Sequence, residues 1–322
     1  MEPMKIGILE IGIRKDTNGI TAIEEILGYA READQLGFSR FWLGEHHPPD
    51  STNPYTNPDI LLGIIAGMTE RIKVGSAGTL ITLYSPYSVV TNYKLLNNLF
   101  PSRIDLGLSK GLPGNKHVLE LVSPPVTFEN ADERFASNLQ EICDLFHQEE
   151  EKFKKHELVI PPFSGEIPSM WYLSGSYNHF PMAIKNKLNY CRSIFHGTIG
   201  RKIEPKKEEL QAYKEQFFKV NGYYPEVSLA LAFYMADTQE EAQKEVDKML
   251  DYENINLLEA WKVIPVTIDS LETLLQTYQE EYGIDEFILY DAALVSDIKM
   301  KNIGAISERF KLAEVPTQVQ YA

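Results

Sequence analysis

A carboxylate and two histidines stand side by side in RFWLGEHH, residues 40–47. Glu45, His46 and His47 follow an apolar run, and groups of these types are costly to bury without partners. A histidine can gain and lose a proton near neutral pH, which makes this pair a candidate for acid–base chemistry. Adjacent histidines seldom converge on one metal ion, and no third ligand follows at a recognisable spacing. The segment therefore predicts acid–base chemistry without a metal.

Strand and helix patterns alternate around this segment. Strands are predicted at 5–12, 39–47, 71–78, 102–111, 169–176, 189–197, 226–236 and 285–292, and helices at 21–38, 57–70, 85–99, 130–148, 180–188, 204–220, 238–250, 268–283 and 295–310. This α/β alternation without a linker favours one (β/α)₈ TIM-barrel domain over residues 1–322. Active sites of such barrels lie at the carboxyl ends of the strands, where Glu45–His47 fall. The long loops at 111–128 and 251–266 are candidate lids.

The composition excludes several classes of protein. The chain has 322 residues, of which 43% are hydrophobic, enough for a sizeable core. Its formal charge of −15 disfavours nucleic acid and anionic membranes as partners. Cys143 and Cys191 form no CxxC pair, as suits a reducing compartment. With neither a signal-peptide pattern nor a long apolar run, we expect a cytoplasmic enzyme that acts on a small molecule.

Three blocks of the sequence resemble the bacterial luciferase-like, flavin-dependent monooxygenases. They are RFWLGEHH (40–47), RIKVGSAGTLITLYSPYSVVTNYKLLNNLFPSRIDLGLSKG (71–111) and MWYLSGSYNHFPMAIKNKL (170–188). The resemblance implies a luciferase-like TIM barrel and a two-component monooxygenase. A separate flavin reductase would supply reduced FMN, which reacts with O₂ to a C4a-(hydro)peroxyflavin that oxidises a small or medium organic substrate.

The resemblance gives His46 the catalytic role, in acid–base chemistry near the isoalloxazine ring. Glu45 and His47 would support it or tie down the strand end. The alternative is that all three residues only bond the backbone of neighbouring loops.

The resemblance also implies a set of flavin-binding positions. They are Ala77, Ser109, Lys110, Arg134, Gly175, Ser176 and His179. Lys110 and Arg134 would supply positive charge for the flavin phosphate, near a helix N-terminus that favours an anion. By residue type alone, both could equally be solvated surface charges, and Ser176 could be a simple helix cap.

Two alternatives stay open, one because of departures from the family pattern and the other because some relatives use a different flavin. His179 stands where a hydroxyl residue is common, and Gly175 replaces an acidic or small residue. VIPVTIDSLE (263–272) lacks the glycine that many relatives carry, although Thr267 or Asp269 can still cap a helix. One alternative is a non-catalytic flavin-binding protein or the regulatory subunit of a heterodimer. The other is hydride transfer with the deazaflavin F420.

Aromatic residues and one apolar helix suggest further contacts. Predicted strand ends carry candidates for an apolar substrate pocket, which are Tyr55, Tyr84, Trp171, Tyr177, Phe195 and His196. Each of them could instead belong to the core. The helix ILLGIIAGM (60–68) is apolar almost all round. In the family, helices near this position form a dimer interface, so we expect a homodimer or a heterodimer with a related subunit.

Overall fold

Parallel strands and helices alternate along the chain in a computed structural model, which describes residues 4–48, 51–123, 125–195, 207–251 and 262–314. The strands are β1 (Lys5–Glu10), β2 (Arg40–Leu43), β3 (Lys73–Leu80), β4 (Ile104–Ser109), β5 (Ser169–Ser174), β6 (Asn189–Ser193), β7 (Val227–Met235), β8 (Val263–Val266) and β9 (Glu286–Asp291). The helices are α1 (Gly19–Gln35), α2 (Asp59–Met68), α3 (Pro86–Leu99), α4 (Lys116–Val122), α5 (Ala131–His147), α6 (Glu149–His156), α7 (Phe180–Lys185), α8 (Lys207–Asn221), α9 (Gln239–Asp251), α10 (Ile268–Tyr282) and α11 (Ser296–Phe310).

All strands except β8 form a closed parallel ring, in the order β1, β2, β3, β4, β5, β6, β7, β9. The ring closes because β9 pairs with β1, with Ile6 opposite Phe287. β7 pairs with β6 on one side and with β9 on the other. The predicted (β/α)₈ TIM barrel is confirmed.

The short strand β8 was not predicted. It pairs in parallel with the last part of β7, starting at the Ala232–Val263 pair. β7 can hold this extra partner because its pairing with β9 stops at Phe233. Four residues are too few for a strand pattern to stand out, so the sequence pattern assigned them to a predicted lid loop, 251–266. The rest of that loop, 252–261, lies outside the described residues.

Two helices were not predicted: α4 lies within the predicted lid loop 111–128, and α6 lies in a stretch for which no element was predicted. The Asn115 side chain caps α4, accepting hydrogen bonds from the backbone N–H of His117 at 2.9 Å and of Val118 at 3.4 Å. Thr267 caps α10 in a capping box with Ser270, which decides between the two predicted caps. Among the described residues, no helix is both long and apolar enough to cross a membrane.

Two apolar layers hold the barrel together. The larger one lies between the strands and the surrounding helices. The smaller one fills the inside of the ring and includes Trp42, Trp171, Phe195 and Tyr290. Trp42 and Trp171 meet edge to face, with ring centroids 5.1 Å apart. Since each strand is covered on both faces, its sequence is an apolar run rather than an alternation.

A buried charge network lies next to the two tryptophans. Asp105 accepts hydrogen bonds from Trp42 Nε1 at 2.9 Å and from Trp171 Nε1 at 3.2 Å. Arg40 Nη1 donates to the same carboxylate at 2.8 Å, and Arg40 Nε donates to Glu286 at 2.8 Å. The guanidinium also lies 4.4 Å from the centre of the Trp171 ring. This network connects β2, β4, β5 and β9 below the smaller apolar layer.

Replacing Asp105 should therefore destabilise the barrel strongly. In Asp105→Ala, Arg40 loses a partner in the interior and both indole N–H groups lose their acceptor. We expect the free energy of unfolding to fall by about 3–5 kcal/mol, measured by urea denaturation. Asp105→Asn keeps one acceptor oxygen, so its free energy of unfolding should fall by less. A loss below about 1 kcal/mol for the alanine variant would contradict this account.

Candidate active site

A cavity of about 2050 Å³ lies at the carboxyl ends of the barrel strands. Both polar and apolar side chains line it. The predicted site residues on its wall are Glu45, His46, His47, Ala77, Ser109, Gly175 and Phe195. The closed ring brings them together because parallel strands all end on the same side of the barrel.

Glu45 holds several groups at once just beyond the end of β2. Its side chain is fully buried. One carboxylate oxygen accepts the backbone N–H of Leu80 at 2.9 Å. The other contacts His47 Nε2 at 3.2 Å and accepts the Tyr84 hydroxyl. Glu45 thus connects the end of β2 to the end of β3 and to the turn that follows it.

His46 lies over a glycine. A Cβ atom on Gly44 would lie 3.2 Å from His46 Nε2 and 2.8 Å from a methyl group of Ile11, so a larger residue would crowd the ring and displace Ile11. Burial, with a smaller effect of His47, lowers the pKa of His46 from about 6.5 to about 4. His46 is therefore neutral at neutral pH and able to accept a proton. β2 ends at Leu43, so both histidines lie in a loop and strand alternation does not orient them.

The predicted phosphate-binding residues lie beside the cavity and off its described wall. Lys110 is exposed, and its Nζ pairs with Asp132 at 2.5 Å. Arg134 is partly buried, and its Nε has no hydrogen-bond partner in the described part of the chain. His179 is exposed, with its ring centre 5.4 Å from that of Tyr172. Phe135, next to Arg134 on α5, lies 6.0 Å from the same Tyr172 ring.

The loop between β5 and α7 is tightly hydrogen-bonded around Ser176. The backbone carbonyl of Ser176 accepts the Tyr190 hydroxyl at 2.6 Å. Its own N–H donates to Ser174 Oγ at 3.2 Å, and its hydroxyl accepts the N–H of Asn178 at 3.4 Å. Gly175 and Ser174 face the cavity in front of Ser176. The loop is thus held in place at the cavity edge.

Most of the predicted aromatic pocket residues support the wall rather than form it. Trp171 is fully buried among the interior residues below. Tyr55 donates its hydroxyl to the Glu10 carbonyl at 3.2 Å, and Tyr84 donates to Glu45. Tyr177 is buried under Arg192, whose guanidinium lies 4.3 Å from the ring centre. Phe195 lines the cavity, and His196 lies outside the described residues.

The segment after β1 forms a part of the wall that the sequence did not reveal. Glu10 is fully buried and accepts the N–H groups of Ile11 at 2.9 Å and Gly12 at 2.7 Å. Arg14 Nη2 donates to it at 2.9 Å. Burial alone would raise the pKa of Glu10, but Arg14, Lys299 and the Gly12 N–H outweigh it and lower the pKa to about 2. The only sequence signal is an acidic residue at a strand end, four positions before an arginine.

A further part of the wall comes from β7, α9 and the start of α11. Tyr234, Glu245, Lys248 and Met249 face the cavity from β7 and α9. Lys248 pairs with Glu245 on the same helix. The spacing of Glu245 and Lys248 is found on any charged helix surface, so the sequence does not single out these two residues. The described residues contain no cluster of histidine, cysteine or acidic side chains able to hold a metal ion.

Comparison with known proteins shows which protein family the chain matches. Residues 4–297 match the family model described as luciferase-like monooxygenase. The N-acetyl-S-alkylcysteine monooxygenase of Bacillus subtilis is 28% identical over 81% of this chain and 76% of its own length.

Solved structures show the same fold. The crystal structure of apo-MsnO8 superposes with a TM-score of 0.77 at 21% identity, over 96% of this chain and 98% of that one. A second is the oxygenating constituent of 3,6-diketocamphane monooxygenase from Pseudomonas putida, a type II Baeyer–Villiger monooxygenase in complex with FMN. Its TM-score is 0.71 at 16% identity, over 95% of this chain and 97% of that one.

The lowered pKa of His46 makes a prediction about acid stability. The unfolded chain takes up this proton near pH 6.5, and the folded chain only near pH 4. Between these values the unfolded state binds more protons, so stability falls as the pH falls. We expect this group to account for about 1–2 kcal/mol lost between pH 7 and pH 5, absent in His46→Asn. Urea denaturation at both pH values measures it.

The exposed His156 provides the control for this measurement. His156→Asn should show the same pH dependence as the wild type. Equal losses of stability in the wild type and in His46→Asn would mean that His46 is not buried as described.

Proposed function

The chain belongs to the luciferase-like monooxygenase family, and from this premise we propose that it is the oxygenase of a two-component, FMN-dependent monooxygenase. The observation that carries the proposal is the cavity at the strand ends, with a partly buried, neutral His46 on its wall. Such a site can enclose a flavin together with a small or medium organic substrate. The comparisons confirm two predictions, which are the family itself and that the protein is an enzyme of this family.

Features of the cavity support FMN as the cofactor. Its volume of about 2050 Å³ leaves room for a substrate beside a flavin. Gly78, Gly111 and Gly175 on its wall let a flat ring approach the backbone. The unpartnered Nε of Arg134, beside the β5–α7 loop, suits a phosphate oxygen. Lys110 can join it once it releases its exposed partner Asp132, since surface ion pairs contribute little.

When bound, reduced FMN would supply the electrons that activate O₂. The chain's own contribution is to position the reactants and to move protons. His46 is neutral, so it can accept a proton from the flavin or the substrate. Glu45 holds the segment that carries His46, and the apolar part of the wall helps to keep water from the reacting atoms.

Two kinds of protein partner follow from this proposal. A flavin reductase would provide reduced FMN, as the description of the P. putida protein as an oxygenating constituent suggests. A second copy of the chain, or a related subunit, would cover α2 and α3. On these helices, Ile60 is 80% exposed, Ile64 46%, Leu95 51% and Leu99 61%. Apolar side chains this exposed on neighbouring helices are typical of an interface.

The catalytic proposal predicts a selective effect of His46→Ala. We expect the variant to bind reduced FMN like the wild type in an anaerobic absorbance titration. Product yield should fall about 100-fold, because general acid–base groups contribute 10²–10⁴ to rates. The assay supplies a reductase, NAD(P)H, FMN and ¹⁸O₂ to a panel that includes N-acetyl-S-alkylcysteines, with mass spectrometry of the products.

His156→Ala, a change at an exposed histidine, is the matched control and should retain full yield. Equal yields in the wild type and in His46→Ala would refute the role of His46. Binding of F420 in preference to FMN would instead favour hydride transfer. Tight binding of FMN without any oxygen incorporation across the panel would favour a non-catalytic subunit.

The proposed interface predicts a change of oligomeric state. Introducing charge in Ile64→Glu combined with Leu99→Glu should dissociate the dimer into monomers, seen by sedimentation velocity. Leu121→Glu is the control, since Leu121 is 71% exposed on a different helix, α4. A wild type that is monomeric at micromolar concentration would overturn the interface.

A further inference from the structure

We propose that Glu45 is a positioning residue. It couples His46 and His47, called the histidine segment below, to the closure of a cover over the cavity. The cover consists of residues 111–123 and includes helix α4. Its first five residues, Gly111 to Asn115, line the cavity. The inference rests on the proposed function only in taking this cavity as the flavin site.

The cover is seated on a small apolar cluster that is separate from the two main layers. This cluster consists of Leu80, Leu83, Leu119 and Val126, with Tyr84, Leu112 and Val122 packed against it. Leu119 is buried, whereas Leu121 on the opposite side of α4 is 71% exposed. A few side chains therefore hold the second half of the cover in place.

Leu80 is the central residue of this apolar cluster, which is called the seat below. A Cβ atom on Gly111 would lie only 2.6 Å from Leu80 Cδ2, so the backbone of the cover passes directly over this side chain. Leu80 also lines the cavity itself. A displacement of Leu80 must therefore move both the wall of the cavity and the start of the cover.

Glu45 fixes both ends of the seat. It accepts the backbone N–H of Leu80 at 2.9 Å and the hydroxyl of Tyr84. Burial and the adjacent Glu45 raise the pKa of Tyr84 far above its usual value, so the phenol keeps its proton and remains a donor. The Tyr84 carbonyl is held in turn by Asn138 Nδ2 at 3.2 Å.

The same carboxylate contacts the histidine segment. His47 Nε2 lies 3.2 Å from the Glu45 oxygen that also accepts the Tyr84 hydroxyl. One buried group thus sets the orientation of His47 and the position of the seat. A shift of either is felt by the other, because a buried carboxylate cannot leave these donors without large cost.

Hydrogen–deuterium exchange of the protein without flavin tests the coupling. Glu45→Gln replaces one acceptor by a donor, and Tyr84→Phe removes one link to the carboxylate. In both variants we expect amides of the cover to exchange on the order of tenfold faster, while amides of β1 and β9 exchange as in the wild type. In both variants the ¹⁵N chemical shift of His47 Nε2 should also change, because His47 contacts the same carboxylate oxygen as Tyr84.

Leu121→Ala, on the exposed side of the cover, is the matched control and should leave the exchange unchanged. The proposal is wrong if the cover of both variants exchanges like the wild type, or if all regions accelerate equally, which is the sign of a merely structural role. If Glu45→Gln does not fold, Tyr84→Phe carries the exchange test. Failure of the wild type to bind FMN would sink the proposed function but not this coupling.

Discussion

The guanidinium of Arg40 lies inside the barrel, where it binds carboxylates on strands that are far apart in the sequence. It donates at 2.8 Å to Asp105 of β4 and at 2.8 Å to Glu286 of β9, while its face covers Trp171 of β5. Charges in an apolar interior are tolerated only when they are paired and hydrogen-bonded. The ring can therefore close with these bonds intact only at one register of the strands along the barrel axis. That register sets the level at which each strand ends.

Buried carboxylates also organise the opposite end of the barrel. Glu10 accepts the backbone N–H groups of Ile11 and Gly12, and Glu45 accepts that of Leu80. Segments without regular structure have unsatisfied backbone groups, and a buried acceptor gives them a definite position. This explains how loops form a shaped cavity wall. In each case a nearby donor side chain, Arg14 or Tyr84, completes the coordination of the carboxylate.

His46 and Glu45 lie in different surroundings within this site. His46 lies where burial disfavours its charged form, so its pKa is about 4. Glu45 lies one residue earlier, surrounded by donors. Neighbouring residues of the same loop thereby differ, since burial dominates at His46 whereas hydrogen bonds hold Glu45. In the proposed oxygenase, this gives the cavity wall a neutral base beside an anchored carboxylate.

Much of the fold was predictable from the sequence, because alternating apolar runs and helical periods are local signals. They indicated every strand of the ring, and the order of parallel strand ends placed Glu45, His46 and His47 at the cavity. Local patterns did not reveal β8 or α4, which are short and hold few buried residues. Resemblance to a family indicated residues for a phosphate site, but could not indicate that Lys110 pairs with Asp132.

The sequence by itself determined the barrel, the family and the position of the histidine pair, since all three follow from the order of residues along the chain. Only the tertiary structure decided that Trp171 is buried beneath the cavity while Phe195 lines it, although both were candidates for the substrate pocket. It alone decided that Glu45 meets Leu80 and Tyr84. The physical reason is that such contacts join residues more than 30 positions apart, and closure of the ring sets their distances.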